Sequence, residues 1–281
     1  MIKVIQKITR TLEILSPPLA GWWACQLFMS PRSNRQRMPV IDGLKQTFLD
    51  YQTIHGKKGK CSVYSAGAGP AILLVHGWEG TAYNYTDMCK ALLDNGFKVI
   101  LFDAPAHGQS SGKQTNIIEI SRMITQLANN EANLSAIIGH SFGAVAVGHA
   151  IKSGLVVKRL ISISAPTNIE YIVERFCRII KASSNTKKSI ITKIESFIKD
   201  DYLSLSLTEV AQKFSMPGMI IHDRSDSMIP VKHAKSLEKA WPNAILYTTK
   251  GLGHTGILRN DQVINRIVAS LKREVPLKLA A

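Results

Sequence analysis

From residue 44 onward the chain alternates short apolar runs with stretches of helical spacing, and this alternation limits the fold more than any other feature. "AILLVH" (71–76), "FKVILFD" (97–103), "LSAIIG" (134–139), "KRLISISA" (158–165), "GMIIHD" (218–223) and "AILYTT" (244–249) have the length and side chains of buried strands. Between them, 85–96, 115–130, 142–153, 231–240 and 260–273 are expected helices. Strands joined by helical crossovers make a mostly parallel sheet. The spacing therefore predicts an α/β fold: a mostly parallel central sheet flanked by helices. Upstream, 44–66 reads as two or three strands with a turn at 56–59.

One segment breaks the rhythm. Residues 168–216 hold helix-like stretches, "IEYIVERFCRII" and "KKSIITKIESFIKDD", with no strand between them. They read as an inserted helical cap. It divides the core into 44–167 and 217–281, and 1–43 stands apart as an N-terminal helical extension. A cap so placed lies beyond the carboxyl ends of the strands, where open α/β sheets bind ligands.

The extension is basic and amphipathic. Ile5, Ile8, Leu12 and Leu15 are expected on one helical face, with Lys3, Lys7 and Arg10 elsewhere around it. A secretory signal fits poorly, because Glu13 and Pro17-Pro18 interrupt the apolar stretch. The second apolar run, 17–29, is shorter than the roughly 20 residues of a bilayer span. Two readings stay open: a helix packed on the domain, or a peripheral contact with anionic membrane. The net charge of +15 suits either. Nucleic acid is not an expected partner, because no zinc-finger spacing, RNP-like aromatic run or long Lys/Arg block occurs. The four cysteines, at 25, 61, 89 and 177, form no CxxC pair. Reduced, buried thiols and a cytoplasmic protein are expected.

Where the apolar run at 134–139 ends, a serine sits between two glycines in Gly139-His140-Ser141-Phe142-Gly143. A strand turning directly into a helix strains the residue at its apex by about 1–3 kcal/mol and leaves that side chain clear of the chain. Gly139 and Gly143 are expected to keep the flanking residues from colliding. The helix starting at Phe142 aims free N–H groups at the same place. "HGWEG" (76–80) is a glycine-bearing turn after another strand; His76 and Gly77 open it, and the N–H groups of Trp78 and Phe142 are placed to form an oxyanion hole. "HDRSDSMIP" (222–230) offers two carboxylates after a third strand. Asp226 is preferred as the acid because it lies on the loop before Ile229-Pro230, leaving Asp223 as a brace. "GLGHTGIL" (251–258) presents His254 among glycines after the last strand.

The order Ser141, Asp226, His254, each beyond the carboxyl end of a strand, is that of the α/β-hydrolases. Over about 44–281 the chain resembles a serine α/β-hydrolase, with the GHSFG elbow, HGWEG turn, acid loop and GLGH loop in order. "FDAPAHGQSSG" (102–112) resembles that family's D-x-P-G-H-G-x-S loop, with Ala106 in place of the usual glycine. The resemblance implies that Asp103 and His107 brace this loop. Trp78, Trp241-Pro242 and "PRSNRQRMP" are similar to a bacterial branch of capped hydrolases. A serine at the elbow sets the chain apart from haloalkane dehalogenases and epoxide hydrolases, which use an aspartate there. The triad, together with apolar cap residues such as Ile172, Phe176, Ile180 and Ile191, points to cleavage of a small-molecule carboxylic ester with a short to medium apolar acyl group; no metal cluster or glycine-rich phosphate loop occurs in the sequence, and no cofactor or metal is expected. Thioesterase or acyltransferase chemistry on the same triad is the alternative, and a non-catalytic ligand-binding protein is a further one.

Overall fold

The computed structural model describes residues 2–32, 36–53, 56–198 and 201–273. Arg35 of the "PRSNRQRMP" stretch and 274–281 of the last core segment lie outside the described residues. In chain order the elements begin with helices α1 (Ile2–Leu15) and α2 (Pro17–Phe28). The hairpin β1 (Lys45–Gln52) and β2 (Lys58–Ala66) follows, then β3 (Ala71–Val75), α3 (Thr86–Asp94), β4 (Lys98–Phe102), α4 (Ile117–Asn129) and β5 (Leu134–His140). Next come α5 (Phe142–Lys152), β6 (Leu160–Ile163), α6 (Ile169–Ile180), α7 (Ser184–Ile198) and α8 (Leu207–Ala211). The chain closes with β7 (Gly218–Asp223), α9 (Lys232–Ala240), β8 (Ala244–Thr249), α10 (Gly253–Gly256) and α11 (Asp261–Leu271).

The eight strands form one sheet in the order β1-β2-β4-β3-β5-β6-β7-β8. β1 and β2 are antiparallel to each other, and β2 to β4; every other pairing is parallel. β3 is buried at all five positions, as a strand covered on both faces must be. The core accordingly has two layers, one on each face of the sheet. The α4 layer shows how the helices are fixed. The Asn116 side chain caps its start by accepting from the N–H groups of Ile118 (2.9 Å) and Glu119 (3.1 Å). Ile117, Ile120, Met123, Ile124 and Leu127 then face the sheet. Trp241 is fully buried, and its Nε1 donates to the Met216 carbonyl at 3.0 Å. Its ring occupies the space where a Cβ on Gly218 would stand, tying the end of α9 to the start of β7. All four cysteines are buried and unpaired. Burial pushes the Cys61 and Cys89 thiols up to about 12, so neither is a reactive thiolate at neutral pH.

α6, α7 and α8 all lie between β6 and β7, within the 168–216 segment. α1 and α2 pack on this group. Gln6 donates to the Ile179 carbonyl (2.8 Å), and the Glu13 carboxylate accepts from Ser183 N and Thr186 Oγ1, both at 2.6 Å. Phe28 meets Phe176 edge-on at 5.0 Å. α2 approaches α7 so closely that a Cβ on Gly21 would lie 2.2 Å from the Ser189 Cβ.

The face that α1 buries differs from the one its apolar spacing suggests. Ile5 and Leu12 turn inward together with Thr9, but Ile8 is 38% exposed and Leu15 73%. The polar side chains of Gln6 and Glu13 find partners on the cap, and these contacts rotate the apolar stripe partly into solvent.

Candidate active site

β3 has β4 on one side and β5 on the other, so the strand order reverses here. The crevice beyond the carboxyl ends of β3 and β5 is the ligand position such a reversal creates. β5 ends at His140, α5 starts at Phe142, and Ser141 alone spans the turn with φ 52° and ψ −125°. Its N–H donates to the Ile163 carbonyl of β6 at 2.8 Å, which holds the strained apex in place. A Cβ on Gly139 would lie 2.6 Å from the Ala144 Cα. One on Gly143 would lie 2.4 Å from the carbonyl oxygens of Val75 and His76. The two glycines thus make room for α5 and for the end of β3, rather than for each other. Gly77 is equally confined, since its Cβ would meet that of Ser141 at 2.9 Å. Gly143→Ala is expected to push α5 off β3 and cost about 1–3 kcal/mol. A thermal melt of the variant would show the loss; an unchanged melting temperature would contradict this packing.

Two distant segments arrive at Ser141. β7 delivers the loop carrying Asp226, whose Oδ1 accepts from the N–H groups of Met228 (2.8 Å) and Ile229 (2.9 Å). After β8, Gly251 and Gly253 adopt positive φ of 90° and 67°, and His254 sits in the one-turn helix α10 rather than in an open loop. His254 Nδ1 is 2.7 Å from Asp226 Oδ2, and its Nε2 is 3.0 Å from Ser141 Oγ. With Nδ1–H donated to the carboxylate, Nε2 is left to accept the serine proton. Burial alone would raise the Asp226 carboxyl, but hydrogen bonds from His254 and the two backbone N–H groups outweigh it and hold the group below its ordinary range. Asp223 plays a different part. It accepts from Ser225 N (2.8 Å), Thr249 Oγ1 (2.7 Å) and Leu252 N (3.1 Å), joining the acid loop to the histidine loop.

Two histidines flank this chain of contacts without any signal in the sequence spacing. The His140 Nε2 donates to the His254 carbonyl (2.8 Å) across 114 residues. His222 Nε2 donates to the Ile229 carbonyl (2.8 Å) and lies 3.6 Å from Asp226 Oδ2. Both support the backbone that carries the other groups.

Trp78 and Phe142 stand side by side, their rings edge-on at 5.5 Å. The turn holding Trp78 is braced by neutral histidines. His107 Nε2 accepts from the Glu79 N–H (3.1 Å), while its Nδ1 donates to the Pro105 carbonyl (2.9 Å). His76 Nε2 accepts from Ala104 N–H (2.9 Å), and its Nδ1 donates to the Gly77 carbonyl (2.8 Å). Asp103 Oδ1 accepts from Ala82 N and Oδ2 from Gln109 N, both at 2.8 Å. Ala106, where the related loops carry glycine, has φ 65°, a conformation that costs an L-residue roughly 1–2 kcal/mol. Sequence reasoning missed one more brace: Arg32, just past α2, forms a two-pronged ion pair with Glu79, with Nε–Oε1 2.8 Å and Nη2–Oε2 2.6 Å. The Tyr171 hydroxyl of α6 donates to the Met228 carbonyl (2.8 Å), tying the cap to the acid loop.

These histidines make the protein acid-sensitive. Burial pushes His76 down to about 4, and His107 and His140 down to about 3, from 6.5. Between those limits the unfolded chain binds protons that the folded one refuses. The stabilisation is full above about pH 6.5 and is lost progressively as the pH falls toward 3–4. Asp103, raised by its own burial, acts in the opposite sense. The melting temperature is expected to fall steeply from pH 7 to pH 4; a flat profile would contradict the neutral, bracing imidazoles.

Comparison with known proteins agrees with the fold. A family model described as "alpha/beta hydrolase fold" matches residues 70–176. An esterase of Pyrococcus furiosus superposes with a TM-score of 0.66 at 20% identity, covering 87% of this chain and 97% of that one. A proline iminopeptidase of Lactobacillus helveticus is 21% identical over 224 residues, 76% of this chain and 68% of its own. A protein of Mycobacterium bovis named only as uncharacterized is 33% identical over 141 residues, which is 47% of this chain and 39% of that one. Among the described residues no helix is long and apolar enough to cross a membrane.

Proposed function

We propose that this chain, whose fold is that of the α/β-hydrolases, is a serine hydrolase cleaving carboxylic esters through an acyl-enzyme. The observation that carries the reading is the unbroken path from Asp226 Oδ2 through His254 to Ser141 Oγ, at 2.7 and 3.0 Å. The Ser141 oxygen attacks the acyl carbonyl carbon while its proton passes to His254 Nε2. Asp226 fixes the imidazole tautomer and stabilises the imidazolium. The oxyanion is held by the N–H groups of Trp78 and Phe142, donors worth about 3–4 kcal/mol each in such sites. The leaving alcohol takes the proton from His254, and water, activated by the same imidazole, releases the acid.

The acyl group is proposed to be short to medium and apolar. The half-buried rings of Trp78 and Phe142 adjoin the nucleophile, and the cap side chains Ile172 and Phe176 belong to the same apolar layer as Phe142. A panel of p-nitrophenyl esters and matched thioesters of graded acyl length tests the assignment. The highest kcat/KM is expected for short or medium acyl esters. A preference for bulky polar acyl groups would overturn the substrate class, and faster turnover of thioesters would move the assignment to a thioesterase.

A further inference from the structure

Seven of the thirteen large apolar side chains exposed among the described residues fall within residues 2–22. Val4 is 59% exposed, Ile14 77%, Leu15 73% and Trp22 54%. Such side chains scattered singly need no explanation; a cluster on one element does. Val4, Ile8 and Leu15, at spacing i, i+4, i+11, share one outward stripe of α1. Leu19 and Trp22, at i and i+3 on one side of α2, are exposed as well. Lys3, Lys7 and Arg10, at i, i+4, i+7, form the neighbouring stripe of α1.

The basic stripe borders a cleft of about 530 Å³ between α1 and the end of α6, lined by Lys7, Arg10 and Lys181 together with Gln6, Glu13 and Ser183. The one carboxylate there, Glu13, is already engaged by Ser183 N and Thr186 Oγ1. Among the described residues none of the three cations is paired with a carboxylate. The inner face of α1 is occupied by its contacts with α2 and the cap, so only its outward face is available.

We propose that this outward face is a docking surface for an anionic phospholipid bilayer. Val4, Ile8, Leu15, Leu19 and Trp22 enter the boundary between headgroups and acyl chains, and Lys3, Lys7, Arg10 and Lys181 meet the lipid phosphates. An amphipathic helix with an apolar stripe beside a basic one lies in the plane of the interface in this way. A net charge of +15 on the chain favours an anionic over a zwitterionic surface. A second copy of the chain is the less suitable occupant, because a self-complementary contact would bring two basic stripes together. The inference does not depend on the hydrolase assignment.

The test is co-sedimentation of the full chain, carrying Ser141→Ala to remove turnover, with vesicles of phosphatidylcholine alone or phosphatidylcholine with phosphatidylglycerol. Binding is expected only with phosphatidylglycerol present, and is expected to weaken with salt. Val4→Asp with Leu15→Asp, and separately Lys7→Gln with Arg10→Gln, should each weaken it by about tenfold or more while leaving the thermal melt unchanged, because the altered side chains point outward. Equal binding to both vesicle types, no binding to either, or binding unchanged in both variants would overturn the proposal. So would a dimer in sedimentation velocity that Val4→Asp with Leu15→Asp dissociates, since the apolar stripe would then serve self-association.

Discussion

Ser141→Ala is expected to lower kcat/KM on p-nitrophenyl butyrate by on the order of 10⁴-fold or more, with little change in melting temperature. Only the hydroxyl is removed, and among the described residues its hydrogen bond is the 3.0 Å approach to His254 Nε2. The backbone anchor from Ser141 N to the Ile163 carbonyl remains, so alanine inherits the same strained φ of 52° and the elbow keeps its shape. The loss is therefore chemical rather than structural. Ser164, another serine at positive φ (50°), offers no substitute, because it is fully buried at the end of β6. A variant retaining a substantial part of wild-type turnover would place the nucleophile elsewhere.

The second large effect separates two carboxylates three residues apart. Asp226→Asn is expected to reduce kcat by about 10⁴-fold, because an amide in place of the carboxylate lets the imidazole settle in the wrong tautomer. The same change at Asp223 removes no contact to His254. It weakens an anionic acceptor for Ser225 N, Thr249 Oγ1 and Leu252 N. Hydrogen bonds to the Asp223 carboxylate outweigh its burial and hold it below the ordinary range, so its charge stabilises the loops at neutral pH. Asp223→Asn should lower the melting temperature, with a far smaller loss of kcat. Rates and melts on the two variants check this directly; the reverse pattern would exchange the roles of the two residues.

The sheet was legible because buried parallel strands are apolar on both faces. "AILLV" has no polar position at all, and every residue of it is buried. The positions of Ser141, Asp226 and His254 were legible because each follows such a strand, and their glycines mark places where chains approach closely. What escaped the sequence depends on contacts between distant segments. Nothing near His140 announces that it reaches the His254 carbonyl, and nothing near Arg32 announces Glu79, 47 residues away. The orientation of α1 escaped for a related reason. Periodicity identifies which residues share a face, but the face that is buried follows from the partner, and Glu13 and Gln6 find polar partners on the cap. The segment carrying His254 closes into a one-turn helix where two glycines with positive φ permit a reversal, a geometry that glycine spacing alone does not specify.

The proposed mechanism rests on a hydroxyl lifted clear of the sheet and activated by an imidazole delivered from another loop. Labelling with a fluorophosphonate, followed by mass mapping of the modified peptide, examines that arrangement most directly. One adduct on Ser141 is predicted, absent in Ser141→Ala and formed far more slowly in Asp226→Asn. An adduct on any other residue, or labelling that persists without the Ser141 hydroxyl, would contradict it.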